Sequence, residues 1–131
     1  MIPEFLAARE IAHLGVTKIE VVSSMHERKA RMAARADAFV ALPGGFGTLD
    51  ELFEILTWSQ LGLHRKPCAV LNVEGYFDGL LTFLDRARDE QLLRPEYRAM
   101  LLVESDPVRL VERMRAHNPP VVETWLKPGQ T

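Results

Sequence analysis

The chain has 131 residues, 47% of them hydrophobic and 26% charged, with a net charge of -2 and a pI near 6.1. These values describe a folded domain with enough apolar surface for a core; they exclude a disordered chain, a repeat array and the basic footprint of a nucleic-acid binder. No apolar run approaches the length that spans a bilayer, and Met1-Ile2-Pro3-Glu4 has no signal-peptide character, so no membrane partner is expected. The single cysteine, Cys68, cannot form an internal disulfide, which suits a reducing cytoplasm. The four histidines, His13, His26, His64 and His117, lack neighbours at metal-ligand spacing, so no metal is expected.

In chain order, residues 1–16 read as a connection with a short helix around 4–12. Residues 18–23 alternate and are β-branched, which predicts a strand. Residues 25–36 set Met25, Met32, Ala33 and Ala36 on one side at helical spacing, and a second strand covers 38–42. A glycine-rich turn leads into a helix over 49–61 that ends near Gly62. Residues 67–73 form a continuous apolar strand of the kind buried on both faces of a parallel sheet. A helix over 76–90 has Phe77, Leu80, Leu81 and Leu84 as its inner stripe; a short strand over 100–103 follows, then a helix over 107–117 opened by Pro107. The tail 118–131, with three prolines, is irregular. Strands alternating with helices specify an α/β fold: a parallel sheet with flanking helices and right-handed crossovers. Only four strands are visible, so the sheet is expected to be incomplete at the N-terminus.

The chemistry concentrates in Leu42-Pro43-Gly44-Gly45-Phe46-Gly47-Thr48-Leu49-Asp50-Glu51. Glycines let another group approach the backbone closely, and the first turn of a helix offers unpaired amides and a positive dipole end. The stretch is therefore a cradle for phosphate or carboxylate. No Lys precedes Thr48 to make a triphosphate-binding loop, and Asp50 stands where a dinucleotide fingerprint needs its third glycine, so a nucleoside monophosphate or sugar phosphate fits better. The competing reading is structural: Thr48-x-x-Glu51 has the form of a capping box at the start of an ordinary helix.

A second group, Ser23-Ser24-Met25-His26-Glu27-Arg28-Lys29, follows a predicted parallel strand. Arg28 and Lys29 in the first turns of a helix oppose its dipole, a cost that a bound anion would offset. Alternatively they lie on a solvated face with Glu27 as local partner.

Taken together, Met25-His26-Glu27-Arg28-Lys29, Ala36-Asp37-Ala38-Phe39 and the glycine stretch resemble the Lonely Guy (LOG) family. So do Thr57-Trp58-Ser59-Gln60-Leu61-Gly62, Lys66-Pro67 and Leu71-Asn72-Val73-Glu74-Gly75-Tyr76; the similarity runs to about residue 113. The resemblance implies one Rossmann-like domain over 1–131 and a phosphoribohydrolase that cuts the N-glycosidic bond of cytokinin riboside 5'-monophosphates, and of AMP, to free base and ribose 5-phosphate. It implies Arg28 and Glu51 as the catalytic pair and Lys29 as their basic neighbour. Residues 45–50 are the implied phosphate loop with Gly44 beside it, and Glu10, Met25 and Thr57 further substrate contacts. No cofactor is implied, and nothing supports the older label of lysine decarboxylase, since no pyridoxal phosphate site is apparent. Asp50 replaces a glutamate common in the family. The family's opening strand and helix units, with their Gly-Ser-rich turn, have no match here. A fragment of a longer product is the preferred expectation, with a short form completed by a partner chain as the other. The family's homodimers or larger homo-oligomers imply an interface on the helix after the glycine turn, with Phe53, Trp58 and Leu61 as contacts. A module that binds nucleotide without turnover is the alternative function, and an oligomeric scaffold in which Thr48 and Glu51 only cap a helix is a third.

Overall fold

The computed structural model describes residues 1–7 and 15–118. Glu10, His13 and the tail from Pro119 lie outside the described residues, as does most of the helix expected around 4–12. The chain forms two compact units, one within Met1–Ala36 and one from Asp37 on.

In the first unit, strand β1 (Ile2–Pro3) leads into helix α1 (Glu4–Ala7), and strand β2 (Val21–Val22) into helix α2 (Met25–Arg35). The strands pair in parallel, Ile2 opposite Val21 and Pro3 opposite Val22. A strand at the very start corrects the expectation of a connection there, and the strand expected over 18–23 shrinks to two residues. The pairing opens with the Ile2 amide donating to the Glu20 carbonyl at 2.8 Å, and β1 ends at Pro3 because the chain turns directly into α1 at Glu4. Lys18 pairs with Glu20 at 2.9 Å and Arg35 bonds the same carboxylate. Those two cations hold the Glu20 carboxyl at about 2, well below its ordinary value.

The second unit is a three-stranded parallel sheet in the order β3 (Phe39–Ala41), β4 (Cys68–Leu71), β5 (Leu101–Glu104). Helix α3 (Phe46–Gln60) connects β3 to β4, while α4 (Asp78–Asp89) and the short α5 (Pro95–Arg98) connect β4 to β5. Helix α6 (Pro107–Ala116) follows, capped by Asp106, whose carboxylate accepts the Val108 amide at 2.9 Å. The register sets Ala41 beside Val70 and Val70 beside Val103. Period-two alternation then sorts the strands onto two faces. On one, Ala41, Val70 and Leu101 pack with Leu52 of α3, Phe77, and Leu80, Leu81 and Leu84 of α4. On the other, Ala69 and Leu102 pack with Leu110 of α6. The inner stripe expected for 76–90 is thus in place, and β4 is buried on both faces. Two like-handed crossovers put α3 and α4 on the same side.

Sequence periodicity missed α5, a single turn opened by Pro95 and held to α4 by Arg98 Nε donating to Asp85 Oδ1 at 2.8 Å. Burial pushes the Cys68 thiol up to about 12, so it stays protonated. His64 braces the end of α3: its Nε2 meets the Ile55 carbonyl at 2.9 Å while Nδ1 accepts the Lys66 amide at 3.0 Å. Burial holds this imidazole below its ordinary value.

Candidate functional site

The glycine turn joins the carboxyl end of β3 directly to α3. Gly45 is the N-cap residue, and its carbonyl accepts the Leu49 amide at 3.1 Å, the first full turn of the helix. The helix therefore starts at Phe46, three residues before the expected 49. This overturns the capping-box reading of Thr48 and Glu51: a cap residue has non-helical backbone, whereas Thr48 lies inside the first turn and Glu51 in the second. The amides from Gly45 to Thr48 have no acceptor within the helix by construction.

The three glycines are there for different reasons, and none for a positive φ, which among the described glycines belongs to Gly62 and Gly75. A Cβ on Gly44 would sit 2.1 Å from Thr48 Oγ1, so this position is glycine because the threonine folds back over it. Around Gly45 and Gly47 a Cβ would meet nothing within 4 Å. Their backbone faces open space, as an anion cradle requires. Phe46, between them, is 94% exposed, Leu49 is half-buried against the core, and Asp50 is exposed.

Glu51, half-buried, stands one turn beyond Thr48 on the same side of α3. Further along, Thr57 is exposed and its hydroxyl donates to the Phe53 carbonyl at 2.7 Å. The outer face of α3 forms an open groove of about 640 Å³ lined by Phe46, Leu49, Asp50, Phe53, Glu54, Thr57 and Trp58.

In the other unit, Met25, Arg28 and Lys29 occupy the first turns of α2, all half-buried. A variant of the capping box is found here, with the glutamate reaching the residue before the cap. Ser24 Oγ accepts the Glu27 amide at 3.1 Å, and the Glu27 carboxylate accepts the Ser23 amide at 2.7 Å and bonds the Ser23 hydroxyl. Glu27 also pairs with Arg31 at 2.8 Å. The Ser23 bonds hold its carboxyl below the ordinary range.

One contact was not anticipated from the sequence. The Tyr76 hydroxyl donates to the Gly44 carbonyl at 2.6 Å, linking the turn after β4 to the glycine turn after β3. The only hint was the turn-rich Asn72-Val73-Glu74-Gly75-Tyr76 directly after an apolar strand. Among the described residues, no three His, Cys, Asp or Glu side chains gather as a metal site, and no helix is long and apolar enough to cross a membrane.

Comparison with known proteins agrees with the motifs. A family model described as "Possible lysine decarboxylase" matches residues 1–114. The chain is 46% identical over 119 residues, 91% of its length, to a rice (Oryza sativa subsp. japonica) protein named probable cytokinin riboside 5'-monophosphate phosphoribohydrolase LOGL2, covering 49% of that protein. It is 47% identical over 127 residues, 97% of its length, to the Arabidopsis thaliana cytokinin riboside 5'-monophosphate phosphoribohydrolase LOG7, covering 58% of it. Arabidopsis LOG2 is 45% identical over 119 residues, 91% of the chain and 56% of that protein. The chain thus spans about half the length of the curated relatives it matches. With the α/β sheet, the glycine turn at a strand's carboxyl end and a family match over most of its residues, the chain belongs to the LOG family.

Proposed function

We propose that the protein hydrolyses the N-glycosidic bond of cytokinin riboside 5'-monophosphates, and of AMP, releasing free base and ribose 5-phosphate. The observation that carries this reading is the cradle at Gly45 and Gly47, open on its outer side and set at the start of a 15-residue helix, in a chain so similar to proteins bearing that name. Residues 45–50 form the phosphate loop, and its amides from Gly45 to Thr48, which have no acceptor within the helix, bind the phosphate.

Hydrolysis adds water across the bond between the base and the ribose: the sugar carbon takes hydroxyl and the base takes the proton. Positive charge builds on the ribose in the transition state, so a carboxylate there stabilises it and orients the attacking water. Glu51 is assigned that role. It lies six residues past Gly45, about 9 Å along the helix axis at 1.5 Å per residue, which separates it from a phosphate held at the turn. Arg28 holds the base or a ribose hydroxyl electrostatically, since a guanidinium is a poor proton donor. Lys29 supplies a mobile positive charge beside it, and Glu10 and Met25 are assigned to the substrate with them.

Thr57 lies twelve residues past Gly45, about 18 Å along the axis, farther than a nucleoside monophosphate held at the same turn extends. That distance, and the apolar groove on which Thr57 lies, support a homo-oligomer in which α3 of a second copy brings Thr57 to the site and Phe53, Trp58 and Leu61 to the interface. Light scattering is expected to give at least a dimer, and a monomer at high concentration would remove the interface. The buried thiol of Cys68 suits a cytoplasmic location.

The test is release of base and ribose 5-phosphate from AMP and from isopentenyladenosine monophosphate by the full chain and by Glu51→Ala. Release that vanishes in the variant is expected; release that survives it removes Glu51 from the mechanism.

A further inference from the structure

The bond from Tyr76 to Gly44 crosses between the carboxyl ends of two adjacent strands at 2.6 Å. Tyr76 is 56% exposed, so core packing does not force its ring into this place. Its own turn aims it. Glu74 at φ 50 and Gly75 at φ 73 reverse the chain, and Asn72 closes the turn by accepting the Phe77 amide at 2.8 Å and donating to Asp78 Oδ1 at 2.8 Å. Phe77 is 2% exposed and anchors the segment in the core, its ring edge-on to Tyr76 at 5.2 Å.

In a trans peptide the carbonyl and the following N–H lie in one plane and point in opposite directions. Drawing the Gly44 carbonyl toward Tyr76 therefore turns the Gly45 N–H the other way. Neither Gly44 nor Gly45 carries a Cβ to restrict that plane, so a side-chain bond is what orients it. We infer that Tyr76 is a positioning residue of the phosphate cradle, acting through the Gly44 carbonyl to hold the Gly45 N–H ready for a phosphate oxygen of the substrate. The inference rests on the nucleotide reading above.

The experiment compares the full chain with Tyr76→Phe, which keeps the ring and its contact with Phe77. With AMP as substrate, KM should rise about three- to tenfold, the worth of one hydrogen bond, while kcat changes less than about twofold. The Gly45 amide resonance should move and broaden in the variant, and the melting temperature should fall by no more than about 5 °C, the loss of one exposed hydrogen bond. An unchanged KM and Gly45 resonance in Tyr76→Phe, with wild-type turnover intact, would overturn the inference and leave the nucleotide reading standing. A fall in kcat together with a larger fall in melting temperature would also overturn it, because the bond would then serve only the fold. A wild-type chain that neither turns AMP over nor shifts its Gly45 resonance on adding AMP would overturn both.

Discussion

Ser24 and Glu27 close the start of α2 on each other's side of the turn: the serine hydroxyl accepts the Glu27 amide at 3.1 Å, and the Glu27 carboxylate reaches back to the Ser23 amide at 2.7 Å. The first bond satisfies one first-turn donor of the helix that carries Arg28 and Lys29, and the second ties down the residue before its cap. Ser24→Ala should cost about 1 kcal/mol, the usual worth of an N-cap, measured by urea denaturation. Thr48→Ala removes no cap on α3, so a matching loss there would return the capping box to Thr48 and Glu51.

Gly44 and Gly47 should respond oppositely to alanine. At Gly44 the new methyl would collide with Thr48 Oγ1, and overpacking of this kind typically costs about 1–3 kcal/mol. At Gly47, inside the first turn of α3 with open space around it, alanine should stabilise the helix by up to about 1 kcal/mol. The same methyl would stand in the cradle, so KM for AMP should rise as the melting temperature rises. A Gly47→Ala protein that is more stable and binds AMP as well as wild type would show that the phosphate does not approach this residue.

Acid should weaken the unit built on β1 and β2 through Glu20. Its folded value of about 2 lies below the ordinary 4.5, so the stabilisation by Lys18 and Arg35 is fully present above about pH 4.5 and is lost as pH falls toward 2. Denaturation midpoints taken across that window should fall more steeply for wild type than for a Lys18→Ala, Arg35→Ala double variant. Equal slopes would show that those pairs do not hold the carboxylate in solution.

The strands β3, β4 and β5 and the inner stripe of 76–90 were legible because each has a period or an apolar run that solvent alone would sort. The glycine stretch was legible as a strand-to-helix turn with open backbone because three glycines stand in four positions between an apolar run and a helical one. Less legible were β1, two residues long and ending in Pro3, and α5, a single turn: elements so short carry no period, and only pairing with Val21 and Val22 or the Arg98–Asp85 bond defines them.

Within the glycine stretch itself, the sequence determined which backbone groups could be offered to an anion, since absence of a side chain is a local property. Tertiary structure decided where the helix begins and which glycine serves packing rather than a ligand. Those outcomes depend on where Gly45 places the first helical carbonyl, on Thr48 lying over Gly44, and on Tyr76 arriving from the next strand 32 residues later to take the Gly44 carbonyl. Two similar patterns, Thr48-x-x-Glu51 and Ser24-x-x-Glu27, thus met different ends: the free energy of a cap is about 1 kcal/mol, small enough for a neighbouring glycine turn to override.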